Sequence, residues 1–218
     1  EPGADGTPYR REVNYRETDP GAGDDPRLQT VNWREAPLRM PEAEIVGLQY
    51  GCAEVRRSMR LVNTGSWLFA GAEVREGQQV RNLVGVEFDE LPPRDITPAD
   101  LEVIAATPLE CRGAQYQQVT GYHTKESGAG VFAAGTINWG CALFAEMCDR
   151  IDRDEVIRVV TANVLDAFTV GPAGLTQPAA GNAARYRGGA RQPAARPPGT
   201  SPPTTQAPPT TPTTPPPP

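Results

Sequence analysis

The stretch "GAGVFAAGTINWGCAL", residues 128–143, is where the fold class is decided. Residues 131–134 have strand length, and alternation sends Val131 and Ala133 to one side and Phe132 and Ala134 to the other, so both faces are apolar. Such a strand is expected in the middle of a sheet covered by helices. The run breaks at Gly135, which lets the backbone turn, and then presents Thr136, Asn138 and Trp139. In open α/β sheets ligands bind beyond the carboxyl ends of strands like this one, which makes these three side chains candidate substrate-binding residues. A second reading of the same residues puts Trp139 in the core and gives Asn138 the turn.

Upstream, "EIVGLQYG" holds a short apolar run at residues 45–50, and Pro37 and Pro41 exclude a long helix before it. "SWLFAGAEV" (66–74) and "NLVGVEFDEL" (82–91) read as strands, with "REGQQVR" as their connection. A further strand is expected from Leu101 to Ala105, stopped before Pro108, and "AQYQQVTGYHTKE" alternates enough for another. One convincing helix covers residues 152–168. Asp152 and Glu155 make a start resembling a capping box, and Val156, Ile157, Val160, Val164 and Phe168 share a face. The pattern is several strands closed by a C-terminal helix, with the last strand just before it.

Composition limits what else the chain can be. From about residue 177 large apolar residues almost vanish, and the end reads "PPTTQAPPTTPTTPPPP", so residues 175–218 are expected to form a disordered or extended tail. Residues 1–29 are a polar, turn-rich lead-in, which leaves residues 30–174 as the domain. The formal charge is −6, and because residues 175–218 carry four arginines and no acid, residues 1–174 stand at −10. That acidic balance argues against nucleic acid as a partner. No apolar run is long enough to span a bilayer. The sequence opens without an initiator Met or a signal peptide, as a processed or truncated piece of a longer protein would.

Cys52, Cys111, Cys141 and Cys148 are even in number, and the Pro/Thr tail is of the kind found on exported chains, so two disulfides and a secreted or cell-wall location are expected. Pairing Cys52 with Cys111 and Cys141 with Cys148 is favoured. A 141–148 bond requires a loop, since seven residues of helix would hold the Cα atoms about 10.5 Å apart. The alternative is two buried thiols on a short helix. No Cys or His grouping suggests zinc.

In "LVGVEFDEL" alternation places Val84, Val86 and Phe88 on one face and Gly85, Glu87 and Asp89 on the other. Two carboxylates roughly 7 Å apart repel, which raises one pKa when water is scarce and suits a general acid or base. The bland reading is an acidic, solvated strand. His123 is the only histidine, so any mechanism needing an imidazole must use it, and no G-x-S-x-G elbow supplies a nucleophile.

Three blocks, taken in order, resemble the C-terminal domain of the N,N-dimethylformamidase large (β) subunit family, especially its actinobacterial members. The first is a Trp-Arg…Pro-Glu…Gly-x-x-Tyr pattern at Trp33, Arg34, Pro41, Glu42, Gly47 and Tyr50. The second is a Gly-Tyr-Glu-x-Asp strand at Gly85, Val86, Glu87 and Asp89, with Val86 in place of the usual Tyr. The third is a Val-Phe-x-x-Gly-Thr-x-x-Trp segment at Val131, Phe132, Gly135, Thr136 and Trp139. The resemblance implies an α/β, class I glutamine-amidotransferase-like (flavodoxin-like) domain, of which this chain would hold the later strands and the closing helix.

It also implies hydrolysis of an amide C–N bond, with water activated by a mononuclear iron on tyrosine and glutamate side chains. The family's His-x-Glu-Tyr segment lies upstream of the matching region and is missing here; His123 is followed by Thr124-Lys125-Glu126. The expectation is therefore the C-terminal part of a small-amide hydrolase, in which oligomerisation through the family scaffold is open. Glu87 would be the acid or base, Asp89 would tune it, and Thr136, Asn138, Trp139 and His123 would bind substrate. The rival is a non-catalytic exported domain of the same scaffold holding carbohydrate or cell-wall material.

Overall fold

Residues 33–35, 38–144, 148 and 150–187 are described by a computed structural model of the chain. The expectations placed on residues 1–32 and 188–218 lie outside the described residues.

Two long hairpins make the sheet. β1 (Gln49–Arg60) pairs antiparallel with β2 (Gln79–Glu90), and β3 (Glu102–Cys111) pairs antiparallel with β4 (Ala114–Thr124). The hairpins meet at two places. Glu90 of β2 pairs with Gln118 of β4, and Leu61, just past β1, bridges to Ala105 of β3. The sheet order is β1-β2-β4-β3, with the four-residue β5 (Gly130–Ala133) added antiparallel to β4. The result is a strand-rich α/β fold built on an antiparallel sheet, with few helices.

This places the doubly buried strand elsewhere than expected. β4, not β5, is buried without interruption, from Gln118 to His123, because β3 and β5 flank its C-terminal half. β5 is only partly covered along its whole length, so its apolar faces reflect an edge position packed on Trp139 rather than a sheet centre. The turn after it depends on Gly135, whose φ is +67° and where an added Cβ would overlap the Val119 carbonyl oxygen.

Several elements differ from the sequence reading for local reasons. Residues 45–50 split between the short helix α1 (Ala43–Val46) and the start of β1, at a left-handed Gly47. Residues 66–74 form a 3-10 turn, Trp67–Phe69, capped by the Ser66 hydroxyl. β3 runs straight through Pro108, which is tolerated because β3 is the last strand of the sheet and Pro108 pairs with Gln117. Val86 is exposed, since register shifts in the β1–β2 ladder break the alternation that would have buried it with Val84 and Phe88.

The long helix α2 (Glu155–Thr169) is capped by Asp154, whose carboxylate accepts the Ile157 N–H at 3.1 Å, two residues beyond the expected cap. Val156, Ile157, Val160 and Val164 enter the core as expected, and Phe168 stays out. The Asn163 amide ties the helix to the 3-10 turn by donating to the carbonyls of Leu68 and Ala70.

Residues 175–187, expected in the tail, belong to the fold. α3 (Ala173–Thr176) and a 3-10 turn (Ala183–Tyr186) follow α2. Asn182 clasps Val103 through both its amide oxygen and nitrogen, at 2.7 and 3.1 Å. The buried Glu102 carboxylate accepts from Asn63 and from the Ala180 N–H. Small residues make this docking possible without large apolar side chains, so a composition argument misses it.

Both cysteine pairs are disulfides. Cys52–Cys111 joins β1 to the end of β3 with Cα atoms 6.5 Å apart. Cys141–Cys148 spans 5.4 Å just before α2, outside any α-helix, as the loop requirement demanded. Among the described residues no helix is long and apolar enough to cross a membrane.

Candidate functional site

The three sequence blocks come together at one corner of the β1–β2 hairpin. The Arg34 guanidinium forks onto Glu42, with Nε 3.1 Å from Oε2 and Nη2 paired to Oε1. The same Oε1 accepts the Tyr50 N–H at 3.1 Å, which fixes where the turn through α1 enters β1. Tyr50 lies opposite Asp89 across the ladder. The Asp89 N–H in turn donates to the Gly135 carbonyl at 3.0 Å, which brings in the third block.

Glu87 and Asp89 stand two residues apart on β2, and their surroundings differ. Glu87 is exposed, whereas Asp89 is half-buried. Burial pushes the Asp89 carboxyl above the usual carboxylate range, the Glu87 charge adds to the rise, and the Arg34 guanidinium opposes it. Of the two, Asp89 is the carboxyl held above its ordinary range, and Glu87 is the neighbouring charge that adds to the rise. Arg34, Glu42 and Tyr50 stood in the sequence pattern with no role assigned. Their signal was the spacing Trp-Arg…Pro-Glu…Gly-x-x-Tyr, which is a tied turn feeding a strand.

The other sequence candidates are placed differently. The Thr136 hydroxyl accepts the Gly85 N–H at 3.0 Å and faces the carbonyls of Gly85 and Leu83 at 2.7 and 3.0 Å, while also capping the 3-10 turn Ile137–Ala142. Asn138 is buried and its amide reaches the Asn82 carbonyl at 3.4 Å. Trp139 donates its indole N–H to Thr161 of α2 at 3.0 Å and meets Phe132 edge to face. The polar atoms of all three engage the protein's own chain. Thr136 adjoins the carboxylate pair through Gly85, and Trp139 points toward α2.

His123 is not brought to that corner. It lies on β4 five residues beyond Gln118, the one β4 residue paired with β2, or about 16 Å along the strand. Its ring is 1 % exposed and packs against Gly47, where a Cβ would sit 2.7 Å from the imidazole. Burial lowers its pKa, Lys125 lowers it further, and Asp100 with the backbone of Ile45 and Thr124 partly offsets this.

Among the described residues no three His, Cys, Asp or Glu side chains converge on a point that would hold a metal ion. All four cysteines are in disulfides, and His123 faces the Gly47 turn. The His-x-Glu-Tyr segment to which the resemblance assigns iron ligands does not occur in the sequence.

A search of curated proteins finds no match to the chain. The sequence model of the family described as "N,N-dimethylformamidase beta subunit-like, C-terminal" matches residues 1–150. The match takes in the polar lead-in and all three sequence blocks, and it stops before α2.

Proposed function

The chain belongs to the N,N-dimethylformamidase beta subunit-like, C-terminal family, and from that membership we propose that it forms part of an amide C–N hydrolase, cleaving a formamide to an amine and formate. The observation that carries this reading is the meeting of Arg34, Glu42, Tyr50, Glu87 and Asp89 around one carboxyl of raised pKa. In the hydrolysis one water adds to the carbonyl carbon and the C–N bond breaks. Asp89, as carboxylate, takes a proton from that water and, as acid, returns it to the departing nitrogen. Glu87 keeps the proton affinity high. The Arg34–Glu42 pair positions the turn and limits the rise.

The family's iron would be held by residues other than those described. The antiparallel sheet would then be the late portion of the class I glutamine-amidotransferase-like fold of the family protein. Thr136 and Asn138 would hold the wall beside the carboxylates through their backbone partners. The two disulfides support an exported location for the chain.

The test is the pH profile of kcat/KM for formate release from N,N-dimethylformamide by the natural gene product carrying these residues. With Asp89 as base, the rate rises through its pKa. Glu87→Gln removes a neighbouring negative charge and should move that acidic limb to lower pH. An unshifted limb removes the carboxylate pair from the chemistry. No formate release at all leaves the rival reading, a non-catalytic exported domain.

A further inference from the structure

A groove of about 430 Å³ runs between the β2 end and the β3–β4 hairpin, and Asp89 is not among its lining residues. Its walls include Glu90, Pro92, Tyr116, Gln117, Tyr186 and Arg187. Each wall is fixed by the fold. Tyr116 meets Phe88 edge to face at 5.6 Å, and Gln117 pairs with Pro108 across the ladder. Arg187 donates to the Pro92 carbonyl at 2.8 Å and to the Thr97 hydroxyl. The hydrolase reading uses none of these residues, and the role of the groove is independent of it.

We propose that this groove docks the chain's own proline-rich segment, residues 196–203, "RPPGTSPP", in an extended conformation. A polyproline II strand has no internal hydrogen bonds, so it presents flat prolyl rings and unpaired carbonyls. Tyrosine and proline walls suit the rings, and the Gln117 amide suits the carbonyls, the combination by which aromatic-lined grooves take such ligands. Charge does not oppose this occupant: residues 188–218 carry Arg191 and Arg196 and no acid, and the groove lining holds one acid, Glu90, and one base, Arg187.

Connectivity selects the occupant. Tyr186 and Arg187 are themselves groove wall, and the chain passes from Arg187 directly into residues 188–218, which hold twelve of its 24 prolines. A segment tethered this closely acts at an effective concentration in the millimolar range, so weak contacts suffice.

The experiment follows the side-chain amide NMR signals of Gln49, Gln115 and Gln117 in the full chain, and in a full chain with Pro197, Pro198, Pro202 and Pro203 changed to Gly. A synthetic peptide of residues 191–203 is then titrated into both. The signals are expected to differ between the two chains. The peptide should restore the native positions in the substituted chain, and the native chain should need at least tenfold more peptide to respond. Identical signals in the two chains overturn the proposal. So does a peptide that moves both chains with the same midpoint, which would make the groove a site for a proline-rich partner from outside.

Discussion

The Thr136 hydroxyl accepts the Gly85 N–H at 3.0 Å, across a separation of 51 residues. This bond joins the segment that ends β5 to the strand that carries Glu87 and Asp89, and Gly135 next to it holds the Asp89 N–H. Thr136→Val keeps the shape and removes the hydroxyl, leaving the Gly85 N–H without its partner. The expected cost is about 1–3 kcal/mol in urea unfolding. Gly135→Ala should be worse, because its Cβ would strike the Val119 backbone. Equal stability of Thr136→Val and the native chain would show that the hydroxyl bond does not hold the two blocks together.

His123 gives the fold a dependence on pH with a definite sign. Its folded pKa lies below the ordinary value of 6.5, so the unfolded chain binds the proton more readily. Above pH about 6.5 the ring is neutral in both states and its contribution is fully present. As pH falls from there through the folded pKa, stability declines by up to about 1.4 kcal/mol per pH unit and then levels off. His123→Leu fills the same space against Gly47 without a titratable ring. It should flatten the decline in melting temperature between pH 7 and 5, and an unchanged profile would place the sensitivity in other groups.

The two disulfides should differ in weight. The Cys52–Cys111 bond closes a separation of 59 residues, and its loss is worth about 4 kcal/mol on the chain-entropy estimate. Cys141–Cys148 closes only seven, worth about 2 kcal/mol. Replacing each pair by alanine and comparing urea midpoints checks the order. A larger loss from the 141–148 pair would show that the short bond has a role beyond closing its loop.

Much of this fold could be read from residues alone, and the failures have physical reasons. α2 was legible because its apolar spacing is regular over many residues, and β2 and β4 because each holds strand-forming residues over a strand's length. β1 was not. Its central residues 53–58, "AEVRRS", include three charged side chains and none is buried, Glu54 has φ +66°, and three register shifts spoil the alternation. The stretch at residues 131–134 misled, since a run apolar on both faces fits an edge strand under Trp139 as well as a sheet centre.

At the site, the proximity of Glu87 to Asp89 followed from their spacing along a strand. Which of them is half-buried did not, because that depends on chain far away in sequence, such as the Gly135 segment that holds the Asp89 N–H. The burial of His123 depends on a glycine 76 positions earlier and leaves no local trace.

The most direct test of the account is Asp89→Asn in the natural gene product, with formate release from N,N-dimethylformamide and melting temperature measured on the same samples. The raised pKa means that the charged carboxylate lowers stability, fully avoided below the unfolded value of 3.8 and incurred as pH rises through the folded pKa. At neutral pH the variant should therefore melt higher than the native chain while losing at least about 100-fold in kcat. A variant that melts higher and still releases formate at the native rate would contradict the assignment of Asp89 as the acid–base group.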